Sequence, residues 1–292
     1  MTKILMLVAV WRRPEILAMF INNLERVQCD YAEVLPFFIL SPEDPELNQV
    51  EALTDGYLST FAKNDPLGEK LNIGLLQALE LDWNYMIGMG SDDLFTIHMW
   101  QQLEDYFMTG EPYFGFINFH AYDYYGGRAK FIPEYHLNLN DELTCIGPGR
   151  CLRRDVIETV IPLYPAIHSG LDGNSDKKLQ AAGFKPALID NGNIPTICDV
   201  KTNCHLTPWE YFDDMGEDVD GQFIQDVFCI RKPCKAMPLD EFHMQVLKGA
   251  TEITRKESFE QRNYEHYEAY GKLRYSSIES YKTVISRKHK KQ

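Results

Sequence analysis

Two adjacent carboxylates, Asp92 and Asp93, close a short apolar run, Asn84-Tyr-Met-Ile-Gly-Met-Gly-Ser-Asp-Asp-Leu94. An apolar stretch that stops abruptly at acids reads as a buried parallel strand. Such a strand delivers its acids to the carboxyl edge of an open α/β sheet, where ligands bind. Hard carboxylate oxygens at that edge suit Mg²⁺ or Mn²⁺ carrying a phosphate group. The same Ser-Asp-Asp suits capping of a following helix, and the run alone does not separate the two readings.

Acids at a sheet edge need a sheet to carry them. Ile4 to Val10 reads as a buried first strand, and Pro14 opens an amphipathic helix that runs to about Arg26. Val34 to Leu40 is a second strand, ended by Ser41-Pro42-Glu43-Asp44-Pro45. A helix near Leu47 to Leu53 and a short segment Tyr57 to Ala62 follow. Leu67 to Leu81 is helical, with Leu71, Leu75, Ala78 and Leu79 on one face. Tyr85 to Met89 is the acid-bearing strand, and Leu94 to Phe107 reads as another helix. This alternation predicts an α/β fold with a doubly wound, mostly parallel sheet.

From Tyr113 the texture changes. Phe114 to Phe119 reads as a strand, and the Tyr/Gly-rich stretch to Lys130 as a hairpin or loop. Ile146-Gly-Pro-Gly-Arg150 leads through Cys151-Leu152 into a helix from Arg153 to about Val160. Ser175 to Ala182 is a helix and Pro186 to Ile189 a strand. Asp213 to Asp220 reads as a solvated acidic loop, because its spacing misses the calcium-loop pattern. The expected organisation is a domain over residues 1–210 and a C-terminal helical extension over 211–292. Within the domain, 1–110 forms a nucleotide-sugar half and 111–210 a mixed acceptor half.

The 292 residues are 45% hydrophobic and carry a formal charge of −14, enough apolar content for a sizeable core. The acidic balance argues against passive binding to nucleic acid or an anionic membrane, which need a basic footprint. Arg287-Lys288-His289-Lys290-Lys291 is the one cationic cluster in the sequence and reads as a solvated end. The seven cysteines form no Cys-x-x-Cys pair, which speaks against a zinc ribbon and for reduced thiols in a cytoplasmic setting. No run reaches the ~18 apolar residues that a membrane span requires.

In order along the chain, several motifs resemble those of the A-type glycosyltransferase fold, and are most similar to the large second family of nucleotide-sugar-dependent enzymes. Val8-Ala-Val-Trp-Arg-Arg-Pro14 resembles the opening strand and nucleotide loop. Phe38-Ile-Leu-Ser-Pro-Glu-Asp44 ends in an acid at the position that holds base or ribose, and Asn64-Asp-Pro-Leu-Gly-Glu-Lys-Leu-Asn72 resembles the polar helix start that faces the diphosphate. Gly90-Ser-Asp-Asp93 stands where the Asp-x-Asp metal motif stands, with Ser91 replacing its first acid, which leaves the ligand open between Asp92 and Asp93. Leu171-Asp172-Gly-Asn-Ser-Asp-Lys-Lys-Leu-Gln-Ala-Ala-Gly-Phe184 resembles the Glu-Asp motif and its helix, with Leu171 where Glu is usual. His205 follows a late strand where many members supply a further metal ligand.

The resemblance implies a metal-dependent, inverting glycosyltransferase with Mn²⁺ or Mg²⁺ as cofactor and a nucleotide-sugar donor, UDP-linked or similar. Asp93 and His205 are the implied metal ligands, and Asp172 the base that takes the acceptor hydroxyl's proton. Its loop, His168-Ser-Gly-Leu-Asp172-Gly, has flanking glycines that admit close approach of an acceptor. Val10, Trp11, Arg12, Arg13, Asp44, Lys70, Asn72 and Asp92 are the implied donor-binding residues. Arg150, His168 and Trp209 are acceptor-side candidates. Asp176, the nearest rival to Asp172, is expected to face solvent in the helix's first turn. The acceptor stays open among a saccharide, a small molecule, a protein and a hydroxymethylated DNA base. Two other classes use such a sheet: nucleotidyltransferases, which usually open on a Gly-rich loop that Val8 to Pro14 lacks, and non-catalytic nucleotide- or sugar-binding proteins.

Overall fold

The computed structural model describes residues 1–135, 144–202 and 209–231. The chain divides into two compact units, Met1–Lys232 and Pro233–Gln292, and the described residues all lie in the first. Residues on both sides of the boundary expected at 210 belong to that unit: Trp209, Phe212, Ile224 and Phe228 are buried in one core with the first strand. His205 and the tail from 232 onward lie outside the described residues.

Twelve strands and seven helices alternate along the described residues. The first half contains β1 (Thr2–Ala9), α1 (Pro14–Arg26), β2 (Ala32–Leu40), α2 (Leu47–Thr54), β3 (Leu58–Phe61), α3 (Leu67–Ala78), β4 (Tyr85–Gly90), β5 (Asp93–Phe95) and α4 (Ile97–Thr109). The second half adds β6 (Tyr113–Phe116), β7 (Phe119–Asp123), β8 (Ala129–Ile132), β9 (Arg150–Arg153), α5 (Arg154–Val160), α6 (Leu171–Ala181), β10 (Ala187–Ile189), β11 (Ile197–Lys201), β12 (Glu217–Val219) and α7 (Gly221–Phe228). A seven-stranded sheet has the order β10-β6-β9-β4-β1-β2-β3, and a five-stranded one β12-β8-β7-β11-β5. The large sheet is parallel except where β9 runs antiparallel between β4 and β6.

Alternation along β1 explains why both faces of this sheet are covered. Ile4, Met6 and Val8 join one core and Leu5 and Leu7 the other, which is why the strand reads as a continuous apolar run. Ile16, Leu17, Phe20 and Ile21 form the buried face of α1. Pro14 sits at that helix's start, where its missing N–H costs nothing.

Two expected elements take a different form. Leu94 and Phe95 are strand rather than helix, because β5 pairs antiparallel with β11 and α4 begins only after Thr96. Phe114 to Phe119 is not one strand: β6 belongs to the large sheet and β7 to the small one. The chain crosses between sheets at Ile117-Asn118, held by Asn118 Nδ2 donating to Asp190 Oδ1 at 2.7 Å. The stretch to Lys130 is a hairpin, β7 pairing antiparallel with β8. Part of the acidic segment 213–220 is also ordered, since β12 pairs with β8.

Candidate active site

The acid pair sits where the two sheets meet. β4 ends at Gly90 and β5 starts at Asp93, so Asp92 lies in the turn between the large sheet and the small one. Pairing of β5 with β11 sets Asp199 directly opposite Asp93. Asn23, buried on α1, anchors β5 by a reciprocal pair: its amide donates to Phe95 O at 2.8 Å and its oxygen accepts from Phe95 N at 2.9 Å. A short strand with both backbone groups of its last residue satisfied in this way holds the acid at its head in register.

Asp93 Oδ2 accepts from Gly90 N at 2.5 Å. A Cβ added at Gly90 would lie 2.5 Å from Asp92 Oδ1 and 2.6 Å from Asp93 Oδ2, so a residue without a side chain is required for both carboxylates to fold back over the strand end. Asp93 is buried. That burial, reinforced by the charges of Asp92 and Asp199, pushes its carboxyl well above the usual carboxylate range. Two cations offset the cluster. Arg13 Nη1 lies 3.1 Å from Asp92 Oδ2, and Lys201 Nζ lies 2.5 Å from Asp199 Oδ2 and 5.2 Å above the Phe212 ring. Asp199 Oδ1 is buried without a hydrogen-bond partner. Neither Asp199 nor Lys201 belongs to any of the motifs that resemble the glycosyltransferase family. Their signal is the alternation Ile197-Cys-Asp-Val-Lys201, in which charges interrupt a buried strand.

The loop after β1 is cross-tied to the end of β2. Arg12 and Arg13 both adopt the left-handed conformation, φ 57° and 58°, rare for residues with side chains and concentrated at functional sites. Their consecutive N–H groups donate to Asp44 Oδ2 at 2.6 Å and Glu46 Oε2 at 2.9 Å. The other Asp44 oxygen accepts from Glu46 N at 2.9 Å, so both Asp44 oxygens hold backbone. Arg12 lies 5.2 Å over the Trp11 ring.

Lys70 does not extend into solvent at the edge. It is fully buried, and its ammonium donates to Val10 O at 2.5 Å, Ser41 Oγ at 2.7 Å and Asn64 Oδ1 at 3.2 Å. It therefore joins the ends of β1 and β2 to the loop before α3. Burial lowers its pKa to about 7 against the opposing pull of Glu43 and Asp44. Asn72 is also taken up locally: its amide donates to Tyr164 O at 2.7 Å and its oxygen accepts from Tyr164 N at 2.9 Å.

Asp172 lies in the first turn of α6, after Gly170 in the left-handed conformation. Its carboxylate rests on Gly147, where an added Cβ would come within 2.7 Å of both oxygens. Gly149, two residues on, donates to Gly88 O of β4 at 2.9 Å, which sets this loop against the acid-bearing strand. Asp172 and Asp199 are also both near enough to the Tyr135 phenol to help raise its pKa, after burial and Tyr211. The Asp172 side chain is 35% exposed. Arg150 is buried beneath it, donating to Asp172 O at 3.2 Å, Ser175 Oγ at 2.7 Å and Cys145 O at 2.5 Å, with its guanidinium 4.0 Å from the carboxylate. Asp176, expected to face solvent, is buried and accepts from Tyr113 Oη at 2.7 Å and Gln180 Nε2 at 2.7 Å. The helix turns it inward because α6 packs against the sheet on that side. His168 pairs with Asp65 at 2.8 Å. Trp209 is packed in the core with Arg128 4.9 Å over its ring.

Among the described residues, no three His, Cys, Asp or Glu side chains are arranged to enclose a metal ion. Mg²⁺ or Mn²⁺ commonly binds through one or two carboxylates and completes its octahedron with substrate phosphates and water. Among the described residues the candidate donors are all carboxylate oxygens, and Asp199 Oδ1 is a buried oxygen with no hydrogen-bond partner. The residues present fit such an ion.

Against this geometry, the solved structures supply a likeness. The chain superposes on Staphylococcus aureus TarS with a TM-score of 0.51 at 10% identity, over 68% of this chain and 37% of that one. The fold is shared with TarS. A structure of TarS residues 1–349 in complex with UDP superposes at TM-score 0.50 and 11% identity, over 69% of this chain and 61% of that one. The chain thus spans well under two thirds of TarS. A looser likeness, TM-score 0.46 at 13% identity over 66% of this chain and 90% of that one, is to a 4-diphosphocytidyl-2C-methyl-D-erythritol synthase. No family model matches the chain, and no curated protein does. At such identities the shared property is the mixed α/β architecture with its large, mostly parallel sheet. No helix among the described residues is long and apolar enough to cross a membrane.

Proposed function

We propose that this chain is a metal-dependent glycosyltransferase that moves a sugar from a nucleotide-sugar donor to an acceptor hydroxyl with inversion. The observation that carries the reading is the Asp92-Asp93 pair at the meeting of the two sheets, on a fold shared with TarS, which has been solved with UDP. A Mn²⁺ or Mg²⁺ ion bound with the donor would stabilise the charge of the leaving diphosphate. Asp93 and Asp92 would hold it, with His205 as the further ligand that the resemblance implies. The loop Val10-Trp11-Arg12-Arg13 and Asp44 would border the nucleotide, Arg12 and Arg13 supplying positive charge near the phosphates.

Asp172 is the proposed general base. Its carboxylate is solvent-accessible, backed by glycine, and near the charge of the buried Arg150. It can therefore meet an acceptor hydroxyl and take its proton as the oxygen attacks the anomeric carbon. A single base, without a second carboxylate as nucleophile, corresponds to in-line displacement and inversion.

The test is calorimetric titration of the full chain with UDP and other nucleoside diphosphates, with and without Mn²⁺, followed by donor hydrolysis across a nucleotide-sugar panel. Mn²⁺-dependent binding together with hydrolysis of one donor is the expected result. Binding without turnover for any donor would make the chain a nucleotide- or sugar-binding protein, and absence of both would remove the reading.

A further inference from the structure

We propose that Lys201 is a positioning residue: a resident countercharge that keeps the acid cluster's hold on a divalent cation weak until the nucleotide arrives. The inference rests on the metal-nucleotide reading above and concerns a residue on the small sheet rather than on the sequence motifs.

Three carboxyl groups, Asp92, Asp93 and Asp199, converge where β5 meets β11, and two cations, Arg13 and Lys201, oppose them. Arg13 belongs to the nucleotide loop and can serve a phosphate as readily as a carboxylate. Lys201 has no such alternative. Its side chain is almost wholly buried, its ammonium is held by Asp199 Oδ2, and the Phe212 ring covers its other side. It is also close enough to Asp92 and Asp93 for their charges to act on it. Burying a lysine is costly unless it is paired, and a structural partner for Asp199 alone could have been a neutral donor. A fixed positive charge next to metal-binding carboxylates instead lowers their attraction for a lone dication. The negative diphosphate adds the charge that the carboxylates lack, so ion and nucleotide bind better together than apart.

The experiment measures Mn²⁺ affinity of the full chain by calorimetry and by the electron paramagnetic resonance signal of free Mn²⁺, with and without UDP. Removing a unit charge about 6 Å from a dication should tighten Mn²⁺ binding by at least roughly tenfold, the value for a water-like dielectric of about 80, and by more at the lower dielectric of a buried site. Lys201→Met should therefore bind Mn²⁺ alone at least about tenfold more tightly, and UDP should enhance that binding less than in the parent. Lys201→Arg, which keeps the charge, should match the parent. A lysine that only braced β11 would leave the enhancement of Mn²⁺ binding by UDP as it is in the parent. Should Lys201→Met fail to fold with Asp199 left uncompensated, Asp199→Asn is compared with Asp199→Asn/Lys201→Met, where loss of the lysine should again tighten Mn²⁺ binding. Equal or weaker Mn²⁺ affinity without the lysine overturns the proposal while Mn²⁺-dependent UDP binding in the parent leaves the functional reading standing. UDP binding that ignores Mn²⁺ in the parent and is lost in Lys201→Met would overturn both, and make Lys201 a phosphate contact.

Discussion

Between the end of β1 and the head of β5, charged groups and backbone are tied together at close range. Asp44 and Glu46 take the N–H groups of a left-handed Arg12-Arg13 pair, Lys70 gathers three oxygens from three segments, and Arg13 reaches Asp92. Around the start of α6 the ties are looser. Asp172 stands 4.0 Å from the Arg150 guanidinium with a third of its side chain exposed, and His168 meets Asp65 in the open. The contrast suggests different tasks. A group that must hold an ion and a diphosphate gains from fixed geometry, because reorganisation then adds nothing to the cost of binding. A group that takes a proton from an incoming hydroxyl must stay accessible to it. If this division holds, substitutions on the first side should cost binding or stability, and those on the second should cost rate.

The largest effect expected is on binding. Asp93→Ala should weaken Mn²⁺-dependent UDP binding by more than about 100-fold, beyond the 10–100-fold typical of residues that merely orient ligands. Circular dichroism should show the fold retained, since the substitution removes a buried acid already crowded by Asp92 and Asp199. Unchanged Mn²⁺-dependent affinity would show that the cross-tied side is scaffold only.

Asp172→Asn should act on rate alone. The amide is nearly isosteric, so donor affinity should stay within about twofold while transfer falls by about 10²–10⁴-fold, the usual cost of losing a general base. Transfer at the parent rate, with Asp176→Asn inactive, would move the base to the buried acid hydrogen-bonded to Tyr113.

Lys70 should reveal itself through pH and stability. Its folded pKa, about 7, lies below the unfolded value near 10.5. Above pH 7 the folded state therefore binds fewer protons than the unfolded one, and this lysine's contribution raises stability with pH, by up to ~1.4 kcal/mol per pH unit, until the unfolded lysine also deprotonates. Below pH 7 both states carry the proton and the contribution is flat. Denaturant unfolding of the parent and of Lys70→Met from pH 6 to 9 should show the parent gaining on the variant as pH rises. A difference that does not change with pH would mean the ammonium is better solvated than its burial implies.

Most of the large sheet was legible from the chain. Continuous apolar runs and Pro14 mark β1, α1, β2 and β4 because one strand's side chains fill two cores and one proline suits one helix position. What stayed hidden was set by partners distant in sequence. Leu94-Phe95 has helical neighbours but is strand because Ile197 and Cys198 pair with it. Asp199 and Lys201 acquire meaning only through that pairing, which sets Asp199 opposite Asp93. Lys70 and Asn72 are implied donor-binding residues, but a sequence does not show that Val10, Ser41 and Asn64, or the backbone of Tyr164, claim their polar atoms first. Asp172 and Asp176 differ by one helical turn, and only packing of α6 decides which is buried.

The smallest expected effect is the one that bears most directly on whether the two sides are independent. His168 and Asp65 form a pair at 2.8 Å with both side chains substantially exposed, and such pairs contribute ~0–1 kcal/mol because water and salt screen them. His168→Ala should therefore shift the denaturation midpoint by little and leave Mn²⁺-dependent UDP affinity within about twofold. Yet Asp65 follows Asn64, whose side-chain oxygen accepts from Lys70 Nζ at 3.2 Å. Asp65 is thus next in sequence to a residue held by the buried lysine that ties together the ends of β1 and β2. If the loop before α3 is held in place by Lys70 and not by His168, the substitution changes acceptor use at most. A tenfold loss of UDP affinity in His168→Ala, with stability unchanged, would mean that the exposed side steers the buried one through Asn64, and the division drawn above would fail.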